Sequence, residues 1–331
     1  MKSNNRHNLC ILIIIIGIFL FVPNAIFAQE WQFVKSGKEF GISGMALIEQ
    51  NDDHLSFLVN HDSKKENDIR LAIVTIDTNN KIQYIPLNWP EGIDLPEDLE
   101  ALTAIPHGNG TSFMTLVSNG RIYHIKLNIS EGSITVLKVF TLPGVSGRSN
   151  FEGFALKEIG DKLLAVWADR GKNSCPAIIY WGLFNLRTYE FSDLNSTPLK
   201  VPWPKKSEVR HVSDLKIDTH GNLFVSSTSD PGDDGSFQSA VYMVGLFCIN
   251  SGNVLFRKNT TLKEIYHFEG HKVEALEILP GGLSNIVLAT DDENMGASIF
   301  LDISRTYVQE EIRLLEEIVR LDEVIAERLR F

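Results

Sequence analysis

Five oxygen-bearing side chains recur in one local setting: Ser43, Glu100, Glu152, Ser213 and Glu274. Each is the centre of a five-residue segment: GISGM (41–45), DLEAL (98–102), NFEGF (150–154), HVSDL (211–215) and KVEAL (272–276). Apolar residues flank the Ser or Glu, and a small residue or Asp follows it. Three carboxylates brought to one place repel one another unless a metal ion, protons or arginines neutralise them. Three Glu and two Ser form an all-oxygen set, which suits a hard cation such as Ca2+ better than zinc. The plainer alternative is that these side chains only accept hydrogen bonds from nearby backbone amides.

A second polar set lies about twenty residues after each segment: His61, Asp62, Lys64 and Lys65; Asn119 and Arg121; Asp169, Arg170 and Lys172; Asp230, Asp233 and Asp234; Asp291, Asp292 and Glu293. Lys64, Lys65, Arg121, Arg170 and Lys172 would hold a phosphate above a bound Ca2+, and Asp62 or Asp169 would orient a water. His211, two residues before Ser213, is an acid–base candidate. Asp62, Asp169, Arg170 and His211 are therefore the catalytic candidates, against the alternative that they are solvated hairpin tips. SDPGDDGS (229–236) resembles part of an EF-hand loop, but its Asp spacing is wrong and no closing Glu follows, so it reads as an acidic turn. No G-x-S-x-G, H-E-x-x-H, paired C-x-x-C or Walker sequence occurs, which leaves serine-hydrolase, zinc-protease and phosphate-loop chemistry without support.

The elements that must position these residues are strands. Short runs such as LSFLVNHD (55–62), RLAIVTID (70–77), TSFMTLV (111–117), RIYHIKL (121–127) and KLLAVWAD (162–169) are bounded by Gly, Asn, Asp and Pro, and Ser118-Asn119-Gly120 is a hairpin signal. The five segment centres are spaced by 57, 52, 61 and 61 residues. Each segment opens a strand and further strands follow, the pattern of a β-propeller. Residues 29–303 divide into 55 per blade for five blades, matching the spacing, or 46 for six. The reading is all-β: a five-bladed propeller, with a six-bladed ring containing one degenerate blade as the alternative. The last repeat lacks an outer strand, which EWQFVKS (30–36) would supply by pairing near 297–303. In the fourth blade NVLFR (253–257) and LKEIYHF (262–268) compete for the outer strand.

Both ends of the chain differ from this body. Lys2 and Arg6 precede an apolar run from Cys10 to Val22, and Ala25 and Ala28 follow. Residues 1–28 thus read as a signal peptide cut after Ala28, giving a secreted or periplasmic protein with no transmembrane segment after cleavage. A membrane anchor is the alternative, for which the run is short. In 304–331, Leu314, Ile318, Leu321, Ile325 and Leu329 follow helical spacing among acids and arginines, an amphipathic C-terminal helix that docks on the propeller or mediates self-association through 310–331. The formal net charge is −11, and losing the two cations of residues 1–28 takes it to −13, which argues against binding a nucleic-acid polymer. Cys175 and Cys248 are too few for a disulfide scaffold. Cys248 suits a free thiol in an apolar strand, with a Cys175–Cys248 bridge as the alternative.

The ordered Ser, Glu, Glu, Ser, Glu set over five blades resembles the calcium-activated nucleotidases, the apyrase family of five-bladed propellers. Strand openings with Glu-Gly and Glu-Ala are similar, more weakly, to phytase-like and esterase-like bacterial propellers. The nucleotidase resemblance implies a central Ca2+ held by Ser43, Glu100, Glu152, Ser213 and Glu274, and hydrolysis of a phosphate-containing small molecule. The family's Asp-Asp-Arg-Thr-Gly segment is here NHDSKK (60–65), matched only by Asp62. Two functions stay open: a Ca2+-dependent phosphohydrolase, and a non-catalytic propeller that binds a small ligand or a protein around a structural Ca2+.

Overall fold

The computed structural model describes residues 31–107, 110–205, 208–280 and 285–302. The signal peptide read over 1–28 and the helix read over 304–331 lie outside them. Among the described residues no helix is long and apolar enough to cross a membrane.

Among the described residues, twenty strands form five four-stranded antiparallel sheets. The first strand, β1 (Trp31–Lys35), joins the last sheet. Blade 1 runs β2 (Gly44–Gln50), β3 (His54–Asn60), β4 (Leu71–Asp77) and β5 (Ile82–Leu87). Blade 2 is β6 (Leu99–Ala104), β7 (Ser112–Val117), β8 (Arg121–Asn128) and β9 (Ser133–Thr141). Blade 3 is β10 (Phe151–Ile159), β11 (Lys162–Asp169), β12 (Ala177–Asn185) and β13 (Glu190–Leu199). Blade 4 is β14 (Val209–Ile217), β15 (Asn222–Ser229), β16 (Gln238–Asn250) and β17 (Asn253–Glu269). Blade 5 is β18 (Val273–Ile278), β19 (Ile286–Thr290) and β20 (Ala297–Leu301), completed on its outer side by β1.

The innermost strands touch in the closed cycle β2, β6, β10, β14, β18 and back to β2. That cycle is a five-bladed propeller, and the six-bladed alternative falls. β1 pairs antiparallel with β20, Trp31 opposite Phe300 and Lys35 opposite Ala297, so the exposed edge of the short last repeat is covered. Trp31 anchors this closure by packing on Phe268, His271 and Phe300. In blade 4 the two competing segments prove to be halves of one strand. β16 is thirteen residues long and pairs along both halves of β17, with a register shift between Met243 and Gly245. Asn259 pins that irregularity by donating to the Met243 carbonyl at 3.1 Å.

The core lies between blades rather than at the axis, as sheet faces stacked around a ring require. One apolar cluster joins blades 1 and 2 through Leu58, Leu102 and Tyr123, and the next joins blades 2 and 3 through Met114, Phe154 and Trp167. The interfaces of blade 4 with its two neighbours are filled likewise, by Leu215 and Tyr242 and by Phe224 and Phe300. The glycine after the segment centre in blades 1 and 3 is explained by this packing. A Cβ on Gly44 would lie 2.8 Å from the Leu102 backbone nitrogen, and one on Gly153 would lie 2.7 Å from the Leu215 side chain. Cys175, exposed, and Cys248, half-buried, are free thiols, so the bridge between them is not formed.

Candidate functional site

Ser43 immediately precedes an innermost strand, Glu100, Glu152 and Glu274 are the second residues of theirs, and Ser213 is the fifth residue of β14. In three blades the centre is the extra residue of a β-bulge. Leu99 faces Val117 while Ala101 faces Leu116, which leaves Glu100 unpaired. Phe151 and Gly153 face Asp169 and Ala168, leaving Glu152. Val273 and Ala275 face Thr290 and Ala289, leaving Glu274. In blade 4 the irregularity spans His211 to Ser213, and Ser43 precedes β2 with its amide bonded to the Asn60 carbonyl. A bulge re-aims the extra side chain. The repeated local defect therefore turns Glu100, Glu152 and Glu274 out of the ladder at the same end of their strands.

Ser43, Glu100, Glu152, Ser213 and Glu274 are all buried. Glu100 lies within electrostatic reach of Glu152, Glu274, Asp98 and Asp62, so the expected convergence of carboxylates holds. The charge of Glu152 and of Glu274, however, is balanced by the chain itself. Arg170 stands 3.2 Å from Glu152, and Asn150 donates to the same oxygen. Arg210 donates to Glu274 at 2.5 Å and also to Asp230. The Lys272 ammonium lies 2.8 Å from Asp291, 2.5 Å from Glu293, 3.5 Å from Glu274 and 3.6 Å from Asp230. Burial pushes the pKa values of Arg210 and Lys272 down, but the surrounding carboxylates, Glu274 foremost, outweigh it and hold both groups charged.

These contacts decide how well Ca2+ fits. Two of the three ring carboxylates already carry cationic side chains, and among the described residues no three His, Cys, Asp or Glu side chains are placed to hold a metal ion. The Ser43 and Ser213 hydroxyls have no hydrogen-bond partner, so with Glu100 they are the remaining free oxygens of the ring. One carboxylate and two hydroxyls fall short of the six to eight ligands Ca2+ takes. The five-residue set, as folded, does not fit a calcium centre.

The catalytic candidates separate into one free group and three structural ones. Asp169 uses both carboxylate oxygens on backbone amides, those of Asn150 at 3.0 Å and Gly171 at 3.2 Å. Arg170 is engaged by Glu152. His211 Nε2 lies 2.8 Å from the Asn173 carbonyl, and burial lowers its pKa, so the neutral ring pins a loop. His61 is likewise neutral, its pKa lowered to about 4 by burial, between the Gly41 carbonyl and the Tyr84 hydroxyl. Asp62 differs. It accepts no hydrogen bond from the described residues, and burial, followed by the charges of Asp291 and Asp98, raises its pKa to about 6. Glu100 is equally unpartnered, and burial with the neighbouring Glu152, Asp98, Glu274 and Asp62 pushes its pKa well above the usual range.

The cations expected to hold phosphate are mostly engaged as well. Lys64 is 2.7 Å from Asp98, Arg170 is on Glu152, and Lys172 pairs with Glu208. The acidic turn over 229–236 docks on the neighbouring blade: Asp233 accepts from Lys38 at 3.0 Å and Asp234 from Asn294 at 3.1 Å.

Below the mouth lies a second charged layer that the sequence reading missed. Lys216 on β14 donates to the Leu102 carbonyl of β6 at 2.7 Å and lies 3.5 Å from Asp214. Blades 4 and 2 are not neighbours, so this side chain crosses the channel and makes the mouth a cup. Asp214, raised to about 7 chiefly by burial, accepts from the Leu276 amide of blade 5 at 2.9 Å. Glu277 of blade 5 accepts from the Leu47 amide of blade 1 at 3.2 Å. Arg210 and Lys272 were also missed, although each lies two or three residues before a ring position; strand periodicity says nothing about where a long side chain ends.

No family model matches this chain, and no curated protein does. Among solved structures it is similar to a thermostable family-43 glycoside hydrolase (12% identity, 79% of this chain and 88% of that one, TM-score 0.43). It is also similar to an α-L-arabinofuranosidase from Lactobacillus brevis (11%, 83% and 92%, 0.44) and to a GH43 endo-arabinanase from Bacillus licheniformis (9%, 81% and 95%, 0.46).

Proposed function

We propose that the cup is a hydrolytic site for a neutral, hydroxyl-rich small molecule, with Glu100 and Asp62 as its acid–base pair. One observation carries this reading. Of the mouth carboxylates named above, Asp62 and Glu100 alone accept no hydrogen bond and form no ion pair among the described residues. Lys272 and Lys64 act on Asp62 only at longer range and do not offset its burial, and both carboxyls hold their protons unusually tightly. Two carboxyl groups kept apart in protonation by their surroundings suit cleavage of an acetal, or glycosidic, bond. Protonated Glu100 gives its proton to the leaving oxygen as the C–O bond breaks. Water attacks the carbon and its proton passes to ionised Asp62. Return of that proton to Glu100 resets the pair.

A phosphate ester, which the nucleotidase resemblance implies, fits less well. Lys64, Arg170 and Lys172 already serve Asp98, Glu152 and Glu208, and free carboxylates repel an anionic substrate. The test compares release of reducing ends from a panel of neutral oligosaccharides with release of phosphate from nucleotides. The expected result is oligosaccharide cleavage whose kcat/KM rises through about pH 6, the value for Asp62. Glu100→Gln and Asp62→Asn should each lower it by about 10²- to 10⁴-fold. Phosphate release without oligosaccharide cleavage, or cleavage indifferent to both substitutions, would overturn the reading.

A further inference from the structure

We infer that Lys272 occupies the position a divalent cation would take between blades 4 and 5, beside the ring residue Glu274, so that this side of the mouth is assembled and held without metal. The inference is independent of the hydrolytic reading. Lys272 is 1% exposed, yet its charged end meets four carboxylates: Asp230 from the loop after β15, Glu274 on β18, and Asp291 and Glu293 from the loop after β19. Those are the elements that a metal at the mouth of blades 4 and 5 would have to bridge. Of the separations of 2.5–3.6 Å, two are at hydrogen-bond length, to Asp291 and Glu293, and all but that to Glu293 exceed the 2.3–2.6 Å at which oxygen binds Ca2+. The carboxylates are thus spaced for an ammonium group. Arg210 reinforces the arrangement by bridging Glu274 and Asp230 from the neighbouring blade, and Lys38 closes its outer side on Glu293 at 2.8 Å. A buried ammonium is kept only where such partners surround it. A lysine already in place also competes with a divalent ion for the same oxygens, because placing both there sets like charges side by side.

Lys272→Gln should then convert a metal-free ring into a metal-responsive one. Wild-type protein purified without chelator should hold no stoichiometric metal by elemental analysis, and its melting temperature should be unmoved by chelator or by Ca2+. Lys272→Gln should melt lower in chelator and recover about 5 °C or more when Ca2+ is added in large excess over its dissociation constant. Lys272→Arg, which keeps the charge, should stay indifferent to Ca2+. Stoichiometric metal in the wild type, or a fall in its melting temperature on chelation, overturns the inference whether or not the variants fold. A folded Lys272→Gln that ignores Ca2+ overturns it too.

Discussion

At the scale of single residues, Asp62 sets the fold against the chemistry. Its carboxyl, ordinarily near 3.8, is raised to about 6, so the native state binds this proton more tightly than the unfolded chain does. Such a group favours the fold below about pH 4 and withdraws that stability as pH climbs through 6, in total on the order of 3 kcal/mol. Asp62→Asn should therefore melt above the wild type at pH 8, and the advantage should vanish near pH 4. Melting curves across that range check it, and a constant difference at all pH values would count against the raised carboxyl. The same variant should lose activity, the usual trade between a strained site and stability. Asp62 and Glu100 were both visible in the sequence, Glu100 through the repeat and Asp62 through its loop. What could not be read there was which acids remain unpaired. That depends on where Arg170, Arg210 and Lys272 end in space, and these side chains reach across strands and blades.

At the scale of elements, the repeated segment was legible because two constraints act on it together. In three blades its centre is expelled from the ladder by a bulge, and in two its next residue is held to glycine by the neighbouring blade, at Gly44 and Gly153. Both constraints leave marks on residue type at fixed offsets. The outer strand of blade 4 was less legible. Lys258 to Thr261 interrupts the apolar pattern like a turn, whereas a long β16 carries β17 past the interruption. Closure by β1 was legible because the last repeat lacked a strand. Removing residues 31–35 should leave β20 as an open edge and expose the Phe300 cluster, so the protein should aggregate on concentration. Light scattering tests this, and a monomeric deletion variant with an unchanged melting temperature would show that β1 is dispensable.

At the scale of the whole molecule, Lys216 is a spoke. It joins blade 4 to the far side of the channel at Leu102 and pairs with Asp214, which in turn holds blade 5. Lys216→Met should cost about 3–5 kcal/mol, because it leaves a buried carboxyl without its cation. Adding Asp214→Asn should recover part of that loss. Urea unfolding of the two single variants and the double variant measures the coupling. Purely additive losses would mean that the two side chains act independently. The spoke was not legible in the sequence, since Lys216 sits in an ordinary alternating strand and only the ring geometry brings Leu102 within its reach.

Closure by the first strand also dictates an order of events on the ribosome. β1 is made before any blade, yet its partner β20 begins roughly 260 residues later, a delay on the order of tens of seconds at ordinary elongation rates. Throughout that interval the strand has no hydrogen-bonded strand partner in the chain already synthesised, only side-chain contacts such as Lys35 over Tyr84 and Trp31 on Phe268, while the four complete blades can form one by one. Ring closure is consequently the last step and cannot begin before Ala297 has emerged. Any nascent chain halted earlier ends as an open arc with an unpaired first strand, a natural target for chaperones or proteases.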